Sequence, residues 1–330
     1  MPVKSDAEKA QALFYQKSIQ AHALAKQEIL SQKVGLKKQD RAVAQYLSLW
    51  NDSIRQGIAS IAFGAIGGKL EKLVPLQVAL SFIDVTMDIH DDIIDDSMKK
   101  KGTKTMYGKI GKASTLLIGD VFLVKGFHLL HRAIENLSKE QQSQIMDTVN
   151  SFLAEVVKAH ITETDLQSKK WKVKPQVYLG ILTQKAAEIE GRMKIAGIYG
   201  GANQKQIQAL SKYGRILGIL LAVRAEYTDL FEPIELSNRV KNECLPLHIL
   251  YGLQKKAYKE KIFSLLSKSS PTQKDSEELL QILKETGTLA SLKNQLKSLQ
   301  KEAVDTLSYL PNNKEKEHLK LIITSMLEDM

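Results

Sequence analysis

Apolar residues recur three and four positions apart in segment after segment of this chain, while the strict alternation of a half-buried strand is almost absent. That period commits the chain to helices. Residues 142–157 show it plainly, with Ile145, Val149, Phe152, Val156 and Val157 forming one stripe. Proline is scarce and punctuates the pattern at Pro75, Pro175, Pro233, Pro271 and Pro311, where helices start or stop. The most linker-like piece, residues 268–275, is short and polar, which suits a loop on one domain. The expectation is an all-α fold in a single domain over residues 1–330, with residues 1–20 a loosely held N-terminal helix.

Composition narrows the functional classes. The single cysteine, Cys244, excludes an intrachain disulfide framework and predicts a reducing, cytoplasmic setting. No run of apolar residues reaches the roughly 18 to 20 that span a bilayer, so no transmembrane segment is expected. The net charge of +10 favours anionic partners. The excess is dispersed lysine without aromatic interleaving, which argues against a nucleic-acid surface.

The chemistry concentrates in residues 80–123. On a helix Asp91 and Asp95 lie one turn apart on the same side, Asp92 borders that face and Asp88 precedes it by a turn. Like charges at this spacing repel, and more strongly where they are partly desolvated; a cation relieves the repulsion. The preceding Leu80, Phe82, Ile83, Val85, Met87 and Ile89 are apolar, so this helix runs through the core and emerges at the acidic cluster. Three lysines and a glycine follow at 99–102. They fit a helix end matched to its dipole, and equally the ammonium groups that face a magnesium-bound diphosphate.

These residues resemble the trans-prenyltransferases, or polyprenyl diphosphate synthases. Asp91, Asp92, Ile93, Ile94 and Asp95 match the DDxxD motif, and the following basic pair, Gly102 and Thr105 continue the pattern. Gly67, Gly68 and Lys69 look like the family's GGKR, Gly119 and Asp120 like its GD, Lys185 like the lysine of its KT, and Leu245 with Pro246 like its LP. Further matches at Glu285, Gly287, Ala303, Leu307, Leu310 and Pro311 carry the resemblance from about residue 55 to the end.

The resemblance implies an isoprenoid synthase fold, antiparallel helices around an apolar cavity, forming a homodimer or a hetero-oligomer. It implies a magnesium-dependent enzyme joining an allylic diphosphate to isopentenyl diphosphate. Asp91, Asp92 and Asp95 would hold Mg2+ on the allylic diphosphate with Lys100 and Lys185 beside it; Lys69, Lys72 and Lys101 would hold the second diphosphate. The second acidic motif aligns with residues 221–229, where Ala225 replaces a ligand and Glu226 and Asp229 are the remaining metal candidates. Asp84 stands where the family has a histidine, Ala186 where it has the threonine of KT, and Ala222 where it has a glutamine. A weakly active or regulatory subunit that binds an isoprenoid diphosphate is therefore the alternative. A terpene cyclase fits less well, because residues 225–233 lack its second motif. Thr86 and Met87, one turn before Asp91, are expected to set product length, and neither is aromatic, which points to a geranylgeranyl product or longer. His90 is expected to support the aspartates. His128, His131, Glu163 and Asp165 read as ordinary helix positions.

Overall fold

The structure, a computed structural model, describes residues 5–100, 102–268, 271–328 and 330. Sixteen α-helices account for most of the described chain: α1 Asp6–Ser31, α2 Lys37–Leu49, α3 Ser53–Ala65, α4 Leu70–Ile94, α5 Met106–Ile110, α6 Lys112–Ile134, α7 Lys139–Gln167 and α8 Pro175–Lys185, then α9 Ala187–Tyr199, α10 Gln204–Asp229, α11 Pro233–Asn242, α12 Leu247–Gly252, α13 Lys259–Leu266, α14 Gln273–Glu285, α15 Thr288–Thr306 and α16 Lys314–Ser325. Two strands of two residues, β1 Lys99–Lys100 and β2 Thr103–Lys104, pair antiparallel after α4.

Local chemistry sets many boundaries. Ser5, Ser138, Asn203 and Thr272 each cap a helix start through a reciprocal box with the side chain three residues on. Pro175 and Pro233 occupy the first turns of α8 and α11, where a missing N–H costs nothing. The stripe expected on α7 is buried at Ile145, Val149, Phe152 and Val156, whereas Val157 points outward.

The main core is continuous from Ala10 to Leu327, and a smaller cluster joins Ala25, Ile29, Val43, Leu47 and Trp50 to Phe82, Val85, Ile89 and Phe122. Helix α4 belongs to both, packing on α6 and, through the first cluster, facing α3 and α1. The N-terminal helix is firmly seated, contrary to expectation. It buries Ala10, Phe14, Ser18, Ala21, Ala25 and Ile29. Gly57 makes this seat: a Cβ there would stand 2.6 Å from the Phe14 carbonyl oxygen.

Reading apolar runs residue by residue understated two helices. Both α4 and α6 are long and apolar enough, by length and composition, to cross a membrane. In α4 72% of that stretch is buried within the protein, as a core helix requires; in α6 the share is 33%, and Leu116, Leu117, Val121 and Val124 stand exposed.

Candidate active site

The acidic cluster sits at the C-terminal end of α4, where the chain reverses sharply. Asp95 caps the helix with its N–H on the Asp91 carbonyl, and Asp96 takes a left-handed backbone at φ 49°. Ser97 N–H then donates to the Asp92 carbonyl at 2.8 Å. The hairpin that follows is held down by the Thr105 hydroxyl, which donates to the Ser97 carbonyl at 2.8 Å while accepting from Gly108 N–H. Folding back in this way brings Lys100 onto the aspartates, with Nζ 2.8 Å from Asp92 Oδ1 and 3.6 Å from Asp91 Oδ2.

Two carboxylates thus converge on one cation. Burial raises the pKa of Asp92 against the opposing pull of Lys100. Asp95 is pushed up to about 8, by burial first and then by the charges of Asp91 and Glu243. Carboxylates this crowded and desolvated release free energy when a multivalent cation arrives. The fit to Mg2+ rests on that and on the ammonium group already held between Asp91 and Asp92.

Across the cleft, α7 and the end of α8 supply the facing wall. His160 Nδ1 lies 3.5 Å from Asp91 Oδ1, and Lys185 pairs with the buried Glu163. Burial works against the charge of Lys185, but Glu163 and Asp91 more than offset it and its pKa is raised. His160 and Glu163 were the residues that helix-surface reasoning passed over. A signal existed in their spacing, since His160 and Glu163 three apart share a side of α7.

The second acidic segment is built differently from expectation. Glu226 is buried and accepts from the Tyr178 hydroxyl at 2.6 Å and from Leu247 N–H at 2.9 Å, and burial raises its pKa to about 7. Asp229 accepts from Arg239 Nε at 2.5 Å, and Arg239 also reaches Glu243 at 2.8 Å. Both carboxylates therefore have structural partners, on α8, α11 and α12.

The second diphosphate site also departs from expectation. Lys69 caps the far end of α4, and the twenty-two residues to Asp91 span about 33 Å at the 1.5 Å rise of a helix. Lys72 lies one turn on from Lys69. Neither side chain can reach the aspartates, so the GGK of residues 67–69 serves as the turn into α4, with Gly67 at φ +88°. Lys101 lies outside the described residues.

In their place the fold brings Arg55 of α3. Its guanidinium donates to both oxygens of Asp88, at 2.7 and 3.2 Å, and its Nε lies 2.8 Å from Glu188. Asp52 stands 3.4 Å away. Glu188 lies 3.7 Å from Arg192, which is fully buried against Asp84. Trp50 Nε1 donates to Asp88 at 3.2 Å. This chain of six charges runs down the face of α4 that carries Asp91, since positions 84, 88, 91 and 95 form one stripe.

Two cavities meet at Asp88. The larger, about 1080 Å3, lies between α1, α3, α9 and α10, and its apolar lining includes Phe14, Ile189, Leu221 and Ala222. The smaller, about 280 Å3, lies between α2, α4 and the hairpin, and includes Asp91, Asp92 and Lys100. Thr86 opens on neither: its hydroxyl donates to the Gly119 carbonyl of α6 at 3.0 Å. That corrects its expected place on the product-length wall; Met87 lines neither cavity either and is partly buried against the main core. His90 supports the same helix contact, with Nε2 3.3 Å from the Leu116 carbonyl and over Gly119, where a Cβ would come within 2.2 Å of it.

Comparison with known proteins agrees with this architecture. The chain is 28% identical over 279 residues to a geranylgeranyl diphosphate synthase of Methanosarcina mazei, covering 83% of this chain and 84% of that one. It is 23% identical to one of Sulfolobus acidocaldarius over 77% and 79% of the two chains. The structure matches a geranylgeranyl pyrophosphate synthetase of Pyrococcus horikoshii with a TM-score of 0.83, at 22% identity, over 97% of this chain and 99% of that one. It also matches a polyprenyl synthase of Caulobacter crescentus, complexed with calcium and isoprenyl diphosphate, with a TM-score of 0.79, at 16% identity, over 99% of both chains. The sequence profile of the polyprenyl synthetases matches residues 38–285, three quarters of the chain and all of the cleft from α4 to α12, and the protein belongs to that family.

Proposed function

We propose that this protein is a prenyl diphosphate synthase, a transferase that joins an allylic diphosphate to isopentenyl diphosphate and releases a product of geranylgeranyl length or longer. One observation carries the reading: the carboxylates of Asp91 and Asp92 converge on a single cation in the smaller cavity, which meets a large, partly apolar one at Asp88. Asp91, Asp92 and Asp95 would hold magnesium, which when bound would supply positive charge against a departing diphosphate. Lys100 and Lys185 take the remaining phosphate oxygens. Phe14, Ile189, Leu221 and Ala222 receive the prenyl tail and keep water from the allylic carbon as it ionises. Glu226 and Asp229 act through their partners, positioning α8, α11 and α12 around the cleft. The exposed Leu116, Leu117, Val121 and Val124 of α6 suit a homodimer face.

A second reading is favoured by the Arg55 cluster, in which a guanidinium opening on the cleft is already matched by carboxylates: a subunit that binds an isoprenoid diphosphate without elongating it. Incubating the purified protein and magnesium with labelled isopentenyl diphosphate and each of dimethylallyl, geranyl, farnesyl and geranylgeranyl diphosphates separates the two. Extended product is expected; magnesium-dependent binding without turnover would establish the subunit. The Asp91→Asn, Asp92→Asn double variant should lose both activity and magnesium-dependent binding while keeping its helical circular dichroism, and unchanged binding would remove the metal site.

A further inference from the structure

We infer that the guanidinium of Arg239 is a built-in cation that takes the place of a metal ion at the second acidic segment, so that this protein holds metal at Asp91, Asp92 and Asp95 alone. The inference rests on the transferase reading of those three aspartates.

The carboxylates of the second segment are already engaged. Glu226 is 2% exposed. The Tyr178 hydroxyl donates to its Oε1 at 2.6 Å and Leu247 N–H to its Oε2 at 2.9 Å. Ala225, just before it, has no oxygen to offer. Asp229, the last residue of α10, takes Arg239 Nε, and Glu243, just after α11, takes Nη1. One planar group therefore joins two carboxylates at two helix ends. Burial opposes the charge of Arg239, but Glu243, Glu226 and Asp229 outweigh it and its pKa is raised. At Glu226 and Glu243 burial raises the pKa, and the charge of Arg239 is the largest influence against it. Arg239 thus does for three carboxylates what a divalent ion would do.

The first acidic cluster is held differently. Lys100 is 47% exposed and meets Asp91 and Asp92 through one ammonium group on a flexible stem, which an arriving metal can displace. Arg239 is 22% exposed and fixed at two nitrogens, so moving it breaks two charge-assisted hydrogen bonds at once. Its anchor also reaches the metal end of the cleft. The charge of Glu243 acts on Asp95, after burial and Asp91, and Lys185 acts on both carboxylates. The guanidinium is a fixed positive charge on the wall opposite the first cluster.

Counting bound Mn2+ tests this without turnover, by titrating full-length protein with the metal alone and following loss of the free-ion electron paramagnetic resonance signal. Asp229→Asn should leave the number of ions bound per chain at the parent value. Arg239→Gln should raise it by about one ion per chain, because Asp229 and Glu243 are then carboxylates without a cation. A lower count in Asp229→Asn would overturn the inference, as would the parent count in Arg239→Gln with its helical circular dichroism intact. Should Arg239→Gln unfold, Asp229→Asn decides by itself. The Asp91→Asn, Asp92→Asn double variant should bind fewer ions than the parent; an unchanged count there would instead remove the metal site of the transferase reading.

Discussion

Asp88 and Asp52 approach the same guanidinium, and their removal should have opposite consequences. Asp88 takes two hydrogen bonds from Arg55 and one from Trp50 Nε1. Arg55 and Asp88 are only partly buried and Glu188 stays on Arg55 Nε, so Asp88→Asn should cost less than breaking a fully buried pair, about 1.5 to 3 kcal/mol, the scale of a lost charge-assisted hydrogen bond. Asp52 offers one oxygen at 3.4 Å, and its other oxygen is buried without a hydrogen bond. Removing that charge should cost nothing, or stabilise by about 1 kcal/mol, because the cluster holds more carboxylates than guanidinium groups. The pH dependence gives the sign an independent check. Burial raises the Asp52 pKa in the folded state, with Asp88 adding to the effect against Arg55 and Arg192, so the native state binds more protons than the unfolded chain as pH rises from about 4. Stability owed to Asp52 is therefore present below its unfolded pKa and lost as pH rises through its folded one. Urea unfolding at pH 5 and pH 8 should show the advantage of Asp52→Asn over wild type growing with pH, while Asp88→Asn unfolds early at both. Equal losses from the two variants, or a larger loss from Asp52→Asn at pH 8, would refute the charge count.

Further expectations follow from single contacts. Glu226→Gln should lower stability by about 1 to 3 kcal/mol, because its oxygens serve Tyr178 and Leu247 N–H, and should leave the magnesium concentration for half-maximal activity unchanged; a raised requirement would make Glu226 a metal ligand. Thr86→Phe should cost about 1 to 3 kcal/mol by overpacking the α4 and α6 contact, seen as a lower urea midpoint. Met87→Phe should instead shorten the product and Met87→Ala lengthen it, read by chromatography of the dephosphorylated alcohols; identical products from both would place the floor of the cavity elsewhere.

What the sequence made legible was local. Helix content follows from period, and the face shared by Asp91 and Asp95 follows from one turn of separation. The role of Lys100 was readable for the same reason, since only four residues and the turn at Asp96 separate it from Asp95. The misreadings were all long-range. Glycines and a lysine at residues 67–69 looked like a phosphate grip, but a helix of 25 residues carries them to the wrong end of the cleft. Arg55 lies 33 residues from Asp88 in sequence and gave no sign of being its partner. Glu226 and Asp229 share a helix, yet their partners Tyr178, Leu247 and Arg239 come from three other helices, and the direction of each carboxylate was set there. Asp84 and Asp88 did leave a trace: two carboxylates in an apolar helix, on the stripe of the metal site, signal buried cations before any are identified.

Helix α1 closes one side of the larger cavity through residues 5, 7, 8, 10, 11 and 14, and Met326 from the opposite end of the chain joins it there. The Ala7 N–H even donates to the Glu328 carboxylate at 3.1 Å. Two segments far apart in sequence are thus masonry of one chamber, so its shape depends on how α1 and the residues around Met326 seat against each other as well as on the helices that carry the acidic cluster.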